Sequence, residues 1–227
     1  MKLYDFSWGP YPQRVTIYLK EKGISDIEIV NIEPPLDKKD WPPAFLLKLN
    51  PAGSLPVLEV GDGTVIRQSL AILDYFEERL ETPTMIGTTP AARAATRELV
   101  SVFDEATTFF GIWARHGSRL NFGSHKPSPE AAVIGAERYA MKLRLAESLI
   151  VGGRFLAGET VTLADCVAMA LLQFTDKFYG VPLPVDCPKL SAWYARFAKR
   201  PSFPHPPYPP AQLSLAYGLQ EQTNYML

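Results

Sequence analysis

Two short stretches of this chain combine residue types suited to holding a ligand. In Asn50-Pro51-Ala52-Gly53-Ser54-Leu55-Pro56-Val57-Leu58, a proline opens a β-prone run. A cis peptide at such a place turns the preceding residue so that its N–H and C=O face a ligand and not the sheet. Leu55 then becomes a backbone partner for an extended peptide, unless Pro56 merely ends a loop. The second stretch is Gln68-Ser69, at the start of an apolar-periodic run. The free amides and positive dipole end of a helix attract a carboxylate there, and the Ser69 hydroxyl adds a donor. The same serine also suits a plain N-cap, and the two uses are compatible.

The elements that must position these residues are legible from periodicity. Residues 2–6 and 27–32 are β-prone, and the run Val15 to Lys22 between them reads as a helix closed by Gly23 and opened near Pro12. Leu55 to Val60, the turn Gly61-Asp62-Gly63 and Thr64 to Ile66 predict a β-hairpin. A helix from Ser69 follows, with Leu70, Ile72, Leu73, Tyr75 and Phe76 at helical spacing. The order is βαβ, a loop with a short helix, ββ, α, over residues 1–80. Residues 81–90 (ETPTMIGTTP) lack periodicity and read as a linker. Residues 91–227 read as helical: one long helix over 91–115, a second over 129–150, a third opened by Thr162 and Asp165 as cap and N3 partner, and a last over 188–199 stopped by Pro201. The proline-rich tail from Phe203 is expected to be irregular.

Composition narrows the function classes. With 227 residues, two unequal domains fit better than one core. The 23 basic and 24 acidic residues leave a formal charge of −1 without a basic cluster, so nucleic acid and anionic membranes are not expected partners. No apolar run approaches the roughly 18 residues that span a bilayer, and a cytoplasmic protein is expected. The two cysteines, Cys166 and Cys187, have neither Cys-x-x-Cys nor metal-ligand spacing, so a disulfide scaffold, a zinc site and a redox pair are all disfavoured.

The Asn50–Leu58 stretch followed by Gln68-Ser69 is similar to the glutathione-site motif of the glutathione transferase (GST) superfamily. Thr162-Leu163-Ala164-Asp165 and Pro188-Lys189-Leu190…Trp193…Arg200-Pro201 also resemble that family's helical domain, so the likeness covers nearly the whole chain. It implies an α/β thioredoxin-like domain followed by an all-α domain, with glutathione as co-substrate and no metal. Pro56 is implied to be cis, with the cysteinyl part of glutathione on Leu55 and Pro56. The γ-glutamyl carboxylate is implied to sit on Ser69, with Gln68 beside it. Asp104 is implied to meet the glutathione amine across the interface of a homodimer.

The resemblance breaks at the group that activates sulfur. Only a thiolate is a good nucleophile, and something must stabilise it. Aligned on Pro10-Tyr11-Pro12-Gln13-Arg14-Val15, the position where the family usually has Ser or Cys is Gly9. Three substitutes are open: the Ser7 hydroxyl, the Tyr11 phenol, or the helix N-terminus and loop amides alone. An apolar electrophile is expected between the domains, against Trp8, Tyr11, Phe109, Phe110, Trp113 and His116, although helical-spacing aromatics more often belong to a core. His116 equally suits the end of a helix dipole, Asp165 a structural cap and Cys166 a buried small residue. The first functional expectation is transfer of glutathione to an electrophile. Ether cleavage, isomerisation or peroxide reduction share the same thiolate. A glutathione-binding scaffold without turnover is the alternative from another class, and Gly9 is its motive.

Overall fold

The computed structural model describes residues 1–36, 39–80, 84–121, 123, 125–204 and 207–227. Residues 81–83, the start of the expected linker, lie outside the described residues. The first half runs β1 (Lys2–Asp5), α1 (Pro10–Lys22), β2 (Glu28–Asn31), α2 (Ala44–Leu49), β3 (Val57–Glu59), β4 (Val65–Ile66) and α3 (Ser69–Arg79). Its strands form one mixed sheet in the order β2-β1-β3-β4, with β1 and β2 parallel and the other pairs antiparallel. This is the thioredoxin-like βαβ-α-ββα unit. The parallel pair needs a crossover, which α1 supplies. Gly23 ends α1 in the left-handed region, at φ 67°, and returns its N–H to the Leu19 and Lys20 carbonyls.

Helix α1 begins at Pro10, two residues before the expected start near Pro12. Both prolines are accommodated because the first helical turn has amides without intrahelical partners. Gly9 is the N-cap. A Cβ built there would lie 2.6 Å from Phe6 Cδ1, so a side chain at this position requires the Phe6 ring to shift.

The second half is helical: α4 (Pro90–Gly117), α5 (Pro129–Leu149), α6 (Leu163–Lys177), α7 (Pro188–Phe197), α8 (Pro210–Ala216) and α9 (Leu219–Thr223). Helix α6 runs through the centre, with every residue from Leu163 to Gln173 buried. Asp165 Oδ2 accepts the Thr162 amide at 2.8 Å, and Oδ1 accepts the Leu156 amide and Trp193 Nε1, tying α6 to the preceding loop and to α7. The expected capping pair is thus present, with aspartate in place of the usual glutamate.

The tail departs from its expected irregular course. Prolines crowd residues 201–210, but none follows Pro210, which opens α8 at a position that tolerates it. Ala216 and Leu219 are then buried, and Thr223 Oγ1 accepts Trp113 Nε1 from α4 at 3.0 Å.

Buried polar links join the two halves. Glu77 of α3 accepts Tyr18 from α1 and the Met85 amide, and its ion pair with Lys22 is buried on both sides. The Met85 carbonyl in turn accepts the Leu163 amide at 2.9 Å. Among the described residues, no helix is long and apolar enough to cross a membrane.

Candidate functional site

A cleft of about 530 Å3 opens where the β3 entry, the start of α3, the first turns of α1 and the middle of α4 converge. Its first wall is the loop before β3. Asn50 is buried and ties that loop down, accepting the Ala52 amide and donating to the Ser54 carbonyl and hydroxyl. Gly53 takes φ 61°, and a Cβ there would run into Pro42. The Leu55–Pro56 peptide is cis. The β1–β3 ladder stops at Val57, opposite Tyr4, so the Leu55 backbone lies beyond the sheet pairing and in the cleft.

The second wall is the start of α3. Gln68 is the extended N-cap residue and makes no side-chain cap bond, while Ser69 is buried in the first turn. Arg67 donates Nε to the Leu49 carbonyl at 2.6 Å, holding the segment before the helix against the end of α2. The unused amides of this helix start, the Ser69 hydroxyl and the Arg67 cation all border the same space, a setting that favours a carboxylate.

Arg14 joins these walls to α4. Its side chain is 1 % exposed, with Nη1 2.5 Å from Asp104 Oδ1 and 3.4 Å from Ser69 Oγ, and Nη2 donating to Thr107 at 2.8 Å. Nε has no hydrogen-bond partner among the described residues. Burial pulls the guanidinium below its ordinary range, and Asp104 opposes that pull. The guanidinium also lies 4.6 Å from the Tyr11 ring centroid. Asp104 remains partly exposed and lines the cleft of its own chain.

Tyr11 and Thr108 also line a second cavity, of about 390 Å3, which continues between α1, α4 and the end of α6. Phe110, Ile112, Phe174 and Tyr179 give it apolar walls, and Arg115 and Asn121 border it. A polar cleft and an apolar cavity thus meet at Tyr11. In the first turn of α1, Pro10 and Pro12 have no N–H, and the Gln13 amide bonds to the Gly9 carbonyl. Tyr11 therefore carries the one amide of that turn still open to a ligand.

Similarity to known proteins agrees with this geometry. "Glutathione S-transferase, N-terminal domain" matches residues 8–79, and "Glutathione S-transferase, C-terminal domain" matches residues 118–201. Glutathione S-transferase 2 of Saccharomyces cerevisiae is 30% identical over 217 residues, covering 89% of this chain and 87% of that protein. The chain belongs to the glutathione S-transferase family. FtsZ-localized protein A of Caulobacter vibrioides is 32% identical over 213 residues, covering 88% of each chain. Among solved structures, Gtt2 from Saccharomyces cerevisiae superposes with a TM-score of 0.79 at 28% identity, covering 89% of this chain and 98% of that one.

Within this GST fold, Leu55, Pro56, Gln68, Ser69, Asp104 and Tyr11 are gathered in one cleft. Ser7 is not among them. Its Oγ donates to Glu33 at 3.2 Å, and it lines a separate cavity with Asp5 and Asn31. Trp8 is 6 % exposed and packs on Phe6, Phe178 and Tyr208 in the core, where the expectation was a pocket wall. Trp113 is also a core residue, bonded to Thr223. Phe109 is half-buried against the core, and its neighbour Phe110 reaches the apolar cavity instead. His116 lies outside both cavities, its Nδ1 accepting the Ser128 amide. On a helix, one residue of sequence rotates a side chain by about 100°, which is why Phe110 and not Phe109 meets the cavity.

Arg14, Ser54, Arg67, Leu70 and Thr108 complete the cleft and were not among the site residues brought forward from the sequence. Ser54 lies inside the first motif, Arg67 directly precedes the second, and Thr108 stands four residues after Asp104 on one helix face. Arg14 lies inside the Pro10–Val15 stretch, but its role in the cleft depends on α1 crossing α4, which no local spacing records.

Proposed function

We propose that this protein binds glutathione in the Leu55–Ser69 cleft and delivers its thiolate to an apolar electrophile in the adjoining cavity. The observation that carries the reading is the meeting of the two spaces at Tyr11. In this arrangement the γ-glutamyl carboxylate takes the Ser69 amide and hydroxyl, with Gln68 beside it. The neighbouring ammonium takes Asp104, and the cysteinyl backbone pairs with Leu55. The sulfur then faces the mouth of α1, where the Tyr11 phenol and amide are the available donors. Tyr11 is favoured over Ser7, whose hydroxyl is engaged with Glu33 at another cavity. Thiolate attack forms a carbon–sulfur bond, and the leaving group departs with the bonding electrons. A homodimer working in the cytoplasm, the usual habit of the fold, completes the proposal.

A second reading, glutathione binding without turnover, is supported by Gly9 and by the likeness to FtsZ-localized protein A. Calorimetry of glutathione binding, with the ultraviolet absorbance of bound thiolate followed against pH, separates the two. The transferase reading expects bound thiolate below the ordinary thiol range in wild type and Ser7→Ala, and its loss in Tyr11→Phe with binding retained. Binding with an ordinary thiol titration favours the scaffold. Absence of binding removes the glutathione site altogether.

A further inference from the structure

A third cavity, of about 490 Å3, shares no lining residue with the other two. It exists because β2 is an edge strand that α1 leaves partly uncovered. The parallel register sets Leu3 opposite Ile29 and Asp5 opposite Asn31, so all four side chains point to the α1 side of the sheet. Leu3 is fully buried beneath the helix, yet Ile29 is 52 % exposed. Leu19, Ile24 and Ile27 join Ile29 as an apolar wall, and Asp5, Ser7, Asn31 and Glu33 form a polar end.

Asp5 is the anomaly at that end. It is 3 % exposed, and its Oδ1 has no hydrogen-bond partner among the described residues. Burial pushes its carboxyl up to about 6 against a bond from the Phe6 amide, and no cation is paired with it among the described residues. Lys20 is the one cation among the lining residues, and its Nζ donates to the Pro204 carbonyl. Glu33 adds a second carboxylate, fixed by Ser7 Oγ and Asn31 Nδ2. An unpaired buried charge is costly, and nothing in the glutathione reading uses this one.

We infer that this cavity is a second ligand site, and that it takes a small amphiphilic ammonium compound. The charged nitrogen sits at the Asp5–Glu33 end and the apolar body lies along Leu19, Ile27 and Ile29. An anion would face two carboxylates, and a neutral apolar molecule would leave Asp5 unpaired. The volume falls in the range of roughly 300–1,000 Å3 that encloses small-molecule ligands. The site stands whether or not glutathione binds in the cleft.

Titration calorimetry of the full chain with phenethylammonium chloride tests it, with 2-phenylethanol as the uncharged match. Saturable binding of the amine is expected, at least about tenfold tighter than the alcohol, since a charged hydrogen-bonding partner is absent from the alcohol. Asp5→Asn should weaken the amine by a similar factor. Glu33→Gln, at an exposed position, provides the same charge test with a several-fold loss, independently of how the Asp5 variant changes stability. Ile29→Trp should abolish binding by filling the cavity, and saturating glutathione should leave the affinity unchanged. Amine and alcohol binding equally, no amine binding, undiminished binding to Ile29→Trp or Glu33→Gln, or displacement by glutathione would each overturn the assignment.

Discussion

Arg14 stands where three parts of the cleft meet, bonded to Asp104 and Thr107 of α4 and within reach of Ser69. Its planar fork serves these partners from one fixed position, which a lysine ammonium cannot do. Arg14→Lys is therefore expected to weaken glutathione binding, and calorimetry beside a thermal melt checks that the loss exceeds any loss of stability. Ser69→Ala removes a donor to the carboxylate, a loss of about 1.5–3 kcal/mol, or roughly tenfold to a hundredfold in Kd. Gly9 is a steric choice as much as a missing donor. Gly9→Ser must displace the Phe6 ring, which packs on Trp8, and overpacking of this kind costs about 1–3 kcal/mol in denaturant unfolding. The same variant gaining thiolate would mean that the loop had opened to admit a side chain. Asp5 sets a pH dependence of opposite sign to a salt-bridged acid. Its folded carboxyl lies near 6, above the unfolded value, so stability falls as pH rises from about 4 through 6. The stability gained by Asp5→Asn should therefore be about 2 kcal/mol larger at pH 8 than at pH 4, measured by urea unfolding. An equal gain at both pH values would mean the carboxyl is not raised.

At the scale of elements, α6 and the α4–α5 pair hold the helical half in place. Asp165 satisfies two backbone amides and the Trp193 indole from a fully buried position. Asp165→Ala leaves those donors unpaired and is expected to cost about 3–5 kcal/mol of unfolding free energy, whereas Asp165→Asn retains part of the network and costs less. Gly135 of α5 lies against the α4 backbone, where a Cβ would come within 2.6 Å of the Trp113 nitrogen. Backbone cannot yield as a flexible side chain does. Gly135→Ala should push the two helices apart and lower the melting temperature, despite alanine's better helix propensity. Capping chemistry was readable from Thr162-Leu163-Ala164-Asp165, because the cap and its N3 partner are three residues apart. The Gly135 contact was not, since it depends on where a second helix crosses.

Across the whole molecule, the C-terminal tail closes the helical half. Thr223 caps the Trp113 indole, and Tyr225 packs edge-on to the same ring at 5.9 Å. Removing residues 209–227 should expose Trp113, seen as a red shift in tryptophan fluorescence with a lower melting temperature. An unchanged spectrum would mean that the tail contributes nothing to that core. The family resemblance implied a cis Pro56, and the sequence by itself determined the order of elements up to the tail, the helical second half and the helix start at Ser69. Each of these is written in periodicity, turn chemistry or a spacing of a few residues. It also brought forward Ser7, Trp8, Trp113 and His116 as site candidates, and the structure places all four away from the cleft. Tertiary structure alone decided that Arg14 meets Asp104, 90 residues distant, that Phe110 and not Phe109 lines the apolar cavity, and that Asp5 Oδ1 is buried with no hydrogen-bond partner among the described residues. The physical reason is that hydrogen-bond and packing partners of this kind are set by how helices cross a sheet and one another. Side-chain type and local spacing say which residues can take part in chemistry, and long-range crossing decides which of them do.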